Sequence, residues 1–195
     1  MLDHYSIPAN ENQPQDYYWF KRGFSKEQLK QLNKDLESLD FEDAATFNKT
    51  LNAEIRKSKV KWLPQTETFK WVYSLMQDLA LEANSQWNFD LHGMPENIQY
   101  TEYDANEAGH YTWHQDIGPG YASKRKVSIT IQLTDSHQYE GGDLEIWQGG
   151  TAVQTCPRGA GVAVLFPSYM MHRVTPLTSG IRKSLVLWIG GSHFR

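Results

Sequence analysis

The chain has 195 residues, of which 39% are hydrophobic and 22% charged, with a formal net charge of -4 and one cysteine. This length and composition are typical of one globular domain and exclude a disordered chain. The acidic balance argues against nucleic acid as the main partner, and a single cysteine excludes an intrachain disulfide.

The beginning of the chain has no basic start followed by an apolar run, so a secretory signal is not predicted. The longest apolar stretches, residues 162–166 and 185–189, are too short to span a membrane. We therefore expect a cytoplasmic protein with no membrane partner. Because no boundary in composition divides the chain, residues 1–195 are interpreted as a single domain.

Two helices are predicted within residues 17–86. Ser25 can cap the first, with Gln28 completing a capping box, and leucines follow at helical spacing. Thr66 can cap the second helix. The apolar positions of this second helix are Phe69, Val72, Tyr73, Met76, Leu79 and Leu81.

Residues 87–195 carry short alternating segments separated by glycine-containing turns. The predicted strands are 98–103, 111–114, 127–133, 143–147, 161–166, 173–177 and 182–189. Seven short strands with regular turns favour a sandwich or jelly roll. The fold class is therefore predicted as α+β and mainly β, with the N-terminal helices packed on one sheet face.

A metal site is indicated by His114 and Asp116. Positions i and i+2 of a strand face the same way, so both side chains can reach one ion. His172, which follows a buried-looking strand and a turn, is the best candidate for a third ligand. Two imidazoles and one carboxylate form the facial triad of non-haem iron(II) oxygenases, which leaves coordination positions open for other ligands.

Arg182 begins an apolar strand and adds a second, independent signal. A basic residue in a buried sheet is costly unless it meets a fixed anion, and the planar guanidinium matches a carboxylate. Ser184 lies two residues further on and faces the same way. The two side chains are predicted to hold a carboxylate of a dicarboxylic acid, whereas an ordinary salt bridge is the alternative for Arg182 alone.

Residues 99–191 resemble the 2-oxoglutarate- and iron(II)-dependent dioxygenases, in particular the prolyl 4-hydroxylase-like branch of bacteria and phages. The pattern consists of Tyr103, Tyr111-x-x-His114-x-Asp116, Glu140-Gly141-Gly142-Asp143-Leu144, Phe166-Pro167-Ser168, His172-Arg173-Val174-Thr175-Pro176 and Gly180-x-Arg182. It covers about half the chain, and its order is specific. The resemblance implies a double-stranded β-helix in residues 87–195, with 17–86 as a helical support region.

The resemblance also implies residue roles. His114, Asp116 and His172 would bind Fe(2+), and Arg182 would pair with the distal carboxylate of 2-oxoglutarate. Tyr103 matches a tyrosine that lines the cosubstrate pocket, and its alternation partners Gln99 and Thr101 are expected to face the same cavity. Where several animal prolyl hydroxylases have a second carboxylate-binding tyrosine, this chain has Gln132. This departure leaves the second anchor to Ser184 or Thr130.

The activity implied is hydroxylation of a C–H bond with dioxygen and 2-oxoglutarate, which yields succinate and carbon dioxide; ascorbate is a further candidate cofactor. A prolyl or other residue of a peptide or protein is the expected substrate. The alternatives are an oxygenase of a free amino acid or other small molecule, and a cupin-like metal-binding module without oxygenase activity. Residues 117–126 are interpreted either as a lid, whose basic run would meet an acidic partner, or as a solvated loop. Nothing in the sequence predicts the oligomeric state.

Overall fold

The computed structural model of the protein describes residues 15–43 and 52–193. Its two α-helices are α1 (Lys26–Leu36) and α2 (Lys70–Ala83). Its strands are β1 (Tyr18–Phe20), β2 (Glu42–Asp43), β3 (Arg56–Lys57), β4 (Lys59–Leu63), β5 (Leu91–Gly93), β6 (Ile98–Asp104), β7 (His110–His114), β8 (Arg125–Gln132), β9 (Tyr139–Gly141), β10 (Leu144–Gly149), β11 (Ala152–Thr155), β12 (Ala163–Pro167), β13 (His172–Val174) and β14 (Leu177–Gly191). All seven predicted strands are present, with shifted ends.

Antiparallel pairing joins these strands into two sheets. The major sheet has the order β1-β12-β8-β14-β6-β4-β2, and β5 and β9 also pair with β14. The minor sheet has the order β11-β10-β13-β7-β3. The predicted jelly-roll architecture is confirmed, and the region 17–86 also supplies four short strands that the helical pattern did not predict.

The helices cover the outer face of the major sheet, as predicted. Leu32 of α1 and Met76 of α2 are fully buried in one cluster with Ile129 of β8 and Leu187 of β14. Burying such a side chain contributes about 1.5–3 kcal/mol to the free energy of folding, so the packing of the amphipathic helices stabilises the major sheet. No helix within the described ranges is long and apolar enough to cross a membrane.

The start of α1 agrees with its predicted capping box. The Ser25 hydroxyl accepts a hydrogen bond from the Gln28 amide at 3.2 Å, and the Gln28 side chain accepts one from the Ser25 amide at 2.7 Å. The predicted start of α2 is wrong, because Thr66 lies in a turn and the helix begins at Lys70. Leu81, one of the apolar positions named for this helix, has an exposed side chain, whereas the other five are buried.

In the central strands of the major sheet, successive side chains point alternately to the helices and to the interior of the jelly roll. In β8, Ile129 and Ile131 face the helices, whereas Thr130 lines a cavity on the opposite face. In β14, Leu185 faces the helices and Ser184 faces that cavity. Because both faces are buried, the polar residues in these strands mark the interior of the jelly roll, where the candidate site lies.

Candidate metal and cosubstrate site

All six predicted site residues line one cavity of about 280 Å³ between the two sheets. The residues are His114, Asp116, His172, Tyr103, Arg182 and Ser184. The first three come from β7, the segment after it, and β13 of the minor sheet, whereas the others come from β6 and β14 of the major sheet. The fold therefore brings a metal-binding cluster and a cosubstrate pocket to opposite walls of one space.

His114, Asp116 and His172 form a compact group whose ligand atoms all lie within 4.8 Å of one another. Register explains part of this geometry, since His172 of β13 lies directly opposite His114 of β7. Asp116 Oδ1 is 3.8 Å from His114 Nε2, and Asp116 Oδ2 is 3.6 Å from His172 Nε2. The three donor atoms thus converge on one point, as a facial triad requires.

The two histidines are oriented by main-chain carbonyls. His114 Nδ1 is 2.7 Å from the Thr112 carbonyl oxygen, and His172 Nδ1 is 2.9 Å from that of Met170. A proton on each Nδ1 satisfies these contacts and leaves the Nε2 lone pairs directed toward Asp116. Burial, and then the nearby His172, lower the pKa of His114 to about 3, so its imidazole is neutral, which is the form that binds a metal.

Asp116 is held by two serines that the sequence did not identify. The hydroxyl of Ser128 donates to Asp116 Oδ2 at 2.6 Å and lies 3.0 Å from the hydroxyl of Ser168. The Asp116 amide donates to the Ser168 carbonyl at 3.0 Å. Although burial favours the neutral acid, the fields of His172 and His114 and the bond from Ser128 outweigh it and lower the pKa of Asp116. The carboxylate is therefore ionised and fixed in orientation.

A bulge in β7 adds an aromatic wall to the metal cluster. Val174 pairs with Tyr111 and His172 with His114, so β7 has one residue more than β13 between these pairs. The extra residue lets Tyr111 and His114 turn to the same side, where their rings stack at 3.5 Å with 15° between planes. Burial raises the pKa of Tyr111 to about 12, which keeps its phenol neutral.

Arg182 forms the opposite end of the cavity and is only 2% exposed. Among the described residues, no carboxylate lies within ion-pair distance of its guanidinium, and its Nε has no hydrogen-bond partner. Its Nη1 is 3.5 Å from the Ser184 hydroxyl, and its Cζ lies 5.5 Å from the centre of the Tyr103 ring. Because a buried guanidinium without a counter-charge is unfavourable, we expect an anion to bind in the cavity. A carboxylate matches the planar, two-pronged arrangement of the guanidinium N–H groups.

Small polar groups complete the cavity wall beside Arg182. Gly142, next to the Arg182 side chain, has a φ of +62°, a conformation that residues with a Cβ rarely adopt. Thr130 and Ser184 both line the cavity, as do Gln99 and Thr101, which confirms their expected orientation. Gln132 is buried but is not among the lining residues.

The basic run 124–126 does not form a solvated lid. Arg125 and Lys126 belong to β8 and are buried, and only residues 120–124 form a short 3-10 helix before that strand. Arg125 donates from both Nε, at 2.6 Å, and Nη2 to the carboxylate of Glu96, and its Cζ is 3.8 Å from the centre of the Trp188 ring. The interpretation of this run as a surface for an acidic partner is therefore wrong.

Comparison with known proteins agrees with this site. Residues 98–190 match the family model described as the 2OG-Fe(II) oxygenase superfamily. The match contains all six predicted site residues. Together, this match, the jelly roll and the histidine–aspartate–histidine cluster support an iron(II)- and 2-oxoglutarate-dependent oxygenase, with Fe(2+) as the cofactor and 2-oxoglutarate as the cosubstrate.

The chain is similar in sequence to bacterial proteins described as PKHD-type hydroxylases. It is 28% identical over 172 residues to a PKHD-type hydroxylase of Acidovorax ebreus, covering 85% of this chain and 74% of the relative. A PKHD-type hydroxylase of Teredinibacter turnerae is 29% identical over 160 residues, with 79% and 69% covered. These hydroxylase relatives favour an enzyme over the alternative of a cupin-like module without oxygenase activity.

Solved structures share the fold at low sequence identity. A prolyl hydroxylase of Trichoplax adhaerens, solved with a peptide fragment of the hypoxia inducible factor oxygen degradation domain, matches with a TM-score of 0.77 and 18% identity, covering 93% of this chain and 85% of that one. A Pseudomonas putida prolyl-4-hydroxylase matches with a TM-score of 0.71 and 19% identity, covering 91% and 93%. At such identities the likeness concerns the fold alone.

Proposed function

We propose that this protein hydroxylates a C–H bond of a prolyl residue, or of another residue, in a peptide or protein. The observation that carries the proposal is the pairing, in one cavity, of a histidine–aspartate–histidine cluster with a buried arginine that has no carboxylate partner among the described residues. A peptidyl substrate is supported by the likeness to the Trichoplax prolyl hydroxylase, which was solved with a peptide.

In this proposal each wall of the cavity has its own task. His114 Nε2, His172 Nε2 and an oxygen of Asp116 hold Fe(2+), and the Ser128 hydroxyl keeps the carboxylate in place. Arg182 binds the distal carboxylate of 2-oxoglutarate, with Ser184 donating a further hydrogen bond.

Tyr103 packs against the Arg182 guanidinium and closes the pocket on that side. Thr130 is the second candidate for a carboxylate contact, because it lines the same wall and Gln132 does not.

The protein contributes position and exclusion of water rather than a general base. Iron and 2-oxoglutarate, when bound, supply the oxidising chemistry, in which dioxygen, 2-oxoglutarate and a C–H bond become succinate, carbon dioxide and an alcohol. The Ser128 hydroxyl and the main-chain carbonyls of Thr112 and Met170 hold the Asp116 carboxylate and the two imidazoles in place, and the position of the cavity between the two sheets limits the access of water.

The test is turnover of 2-oxoglutarate by the purified protein with added iron(II), in air, with peptides that contain proline and with matched peptides that contain alanine instead. We expect the proline peptides to accelerate succinate formation and to gain the mass of one oxygen atom. The variant His114→Ala should abolish both signals, whereas His137→Ala, at an exposed histidine, should retain them. Oxygen gain by free proline alone would instead support the small-molecule alternative, and no stimulation by either would refute hydroxylation of proline.

A further inference from the structure

A third buried arginine, Arg56, lines the same cavity and has no role in the proposed chemistry. It lies in β3, which pairs with β7, so that Arg56 is directly opposite Tyr111. Its Cζ is 4.9 Å from the centre of the Tyr111 ring, and that ring stacks on His114. The guanidinium is therefore separated from the metal cluster by a single aromatic ring.

The hydrogen bonds of Arg56 leave its charge unbalanced. Its Nη2 donates to Gln99 Oε1 at 2.7 Å, and its Nε donates to the Ser58 hydroxyl at 2.9 Å. Both acceptors are neutral, and so is Tyr111. A guanidinium has five N–H donors, and among the residues that the structure describes no other acceptor contacts this one.

No carboxylate of the described chain neutralises Arg56, although its residue is only 8% exposed. Two glutamates line the cavity outside the metal cluster: Glu96 is already bound by Arg125, and Glu42 is exposed and beyond ion-pair distance of Arg56. A buried cation is costly without a counter-charge, so its retention beside the reaction site points to an anionic ligand.

Two arginines of the cavity lining, Arg56 and Arg182, have no carboxylate partner among the residues that the structure describes, and 2-oxoglutarate has only one distal carboxylate. In the proposed function that carboxylate belongs to Arg182, which shares its wall with Ser184 and Thr130 of the major sheet. Arg56 comes from β3 of the minor sheet, and Val60 and Trp62 of β4 in the major sheet add apolar surface to the cavity lining. A second anion at Arg56 must therefore come from the molecule that is oxidised.

We propose that Arg56 is a substrate-recognition residue that binds a carboxylate of the molecule to be hydroxylated. The inference rests on the proposed function and adds the chemical class of the substrate. The stacking distances of 4.9 Å and 3.5 Å put the guanidinium within about two to three extended residues of the metal cluster. The carboxylate therefore lies close to the oxidised carbon, either as the free carboxylate of an amino acid or as an acidic side chain next to the target residue.

Two pairs of probes distinguish these sources. The first pair is free proline and prolinamide; the second is an acetylated and amidated tetrapeptide in which proline is followed by glutamate, and the same peptide with glutamine. Dissociation constants are measured calorimetrically on the protein loaded with 2-oxoglutarate and manganese(II), which allows binding without turnover. Succinate formation with iron(II) is measured in parallel.

We expect the carboxylate member of one pair to bind about tenfold to a hundredfold more tightly than its amide, as a charge-assisted contact to Arg does. Arg56→Gln should remove this preference, and Arg56→Lys should retain part of it because Lys keeps the charge and loses the fork. Lys57→Gln is the matched control: it removes the same charge from the next residue of β3, which does not line the cavity, and should leave the preference intact.

The outcomes separate this inference from the proposed function. Prolyl peptides that bind and stimulate succinate formation, with no preference of the wild-type protein for carboxylate over amide in either pair, would overturn the role of Arg56 and leave the function standing. A preference that persists in folded Arg56→Gln protein would overturn it equally. A preference for free proline over prolinamide, with no response to the peptides, would keep the role of Arg56 and overturn the peptidyl substrate. If no prolyl probe binds or stimulates turnover, prolyl hydroxylation fails and this inference fails with it. The comparison of probes on the wild-type protein does not depend on the folding of any variant.

Discussion

Replacement of Arg182 by Ala is the sharpest test of the cosubstrate site. Arg182 is only 2% exposed, so a carboxylate bound to it is weakly screened and loses a strong partner when the guanidinium is removed. The lost charge-assisted contact corresponds to about 1.5–3 kcal/mol, or roughly a tenfold to hundredfold loss of affinity for 2-oxoglutarate. The carboxylate left buried and unpaired adds to that loss, so these values are a lower range.

The same structure predicts that this variant does not unfold through loss of an ion pair. Because Arg182 has no carboxylate partner among the described residues, its removal leaves no protein carboxylate without a counter-charge. Arg182→Met fills more of the space and is the better variant for stability, whereas Arg182→Lys should bind 2-oxoglutarate with intermediate affinity. Iron binding should stay near normal in all three, since the metal cluster lies on the other sheet.

The assay is a titration of succinate formation with 2-oxoglutarate at saturating iron, together with calorimetric binding of 2-oxoglutarate to the manganese-loaded protein. Lys183→Ala is the control: it removes a charge from the adjacent residue, whose ammonium lies at the surface 3.8 Å from Glu102. An unchanged half-saturation in Arg182→Ala and Arg182→Met would refute the reasoning, and the carboxylate would then be held elsewhere in the cavity.

Three further predictions concern the metal cluster and the core. His172→Ala should abolish turnover and strongly weaken metal binding, whereas His137→Ala should leave the iron dissociation constant unchanged; full activity of the first variant would remove it from the ligand set. Ser128→Ala should weaken metal binding about tenfold to a hundredfold, because the Asp116 carboxylate loses the hydrogen bond that orients it. An unchanged metal dissociation constant, measured by calorimetry, would show that this hydrogen bond does not contribute to metal affinity. Leu32→Ala should lower the free energy of unfolding by about 2–5 kcal/mol, since this side chain is fully buried, and a change below about 1 kcal/mol in urea denaturation would contradict the packing described for α1.

Much of the site could be predicted from local sequence because its parts lie in short continuous stretches. His114 and Asp116 are two residues apart, and Arg182 stands out as a charge at the start of an apolar strand. The sequence pattern also indicates which residues of β8 face the interior, since Ser128, Thr130 and Gln132 alternate with apolar residues within a fully buried strand. Only the specific contact of Ser128 with Asp116 required the structure.

Other parts depend on pairing between distant segments and could not be predicted. Arg56 reaches the cavity through a two-residue strand, which is too short to leave a periodic signal, within a region that was predicted as helical. Tyr111 would face away from His114 in a regular strand, and only the bulge in β7 brings the two rings together. Thr66 was a misleading local signal. Its side chain is suited to capping a helix, but the residue lies in a turn, and α2 begins only at Lys70.

The register between β7 and β13 has a consequence for how long the folded protein persists. An iron ion held by His114 and His172 would cross-link two neighbouring strands, and through Asp116 it would also fasten the segment that follows β7. Binding to the folded chain alone stabilises it by about 2.7 kcal/mol when the free metal is at a hundred times its dissociation constant. A change of this size alters the fraction of chains open to proteolysis, so the abundance of the enzyme would follow the supply of iron as well as its activity.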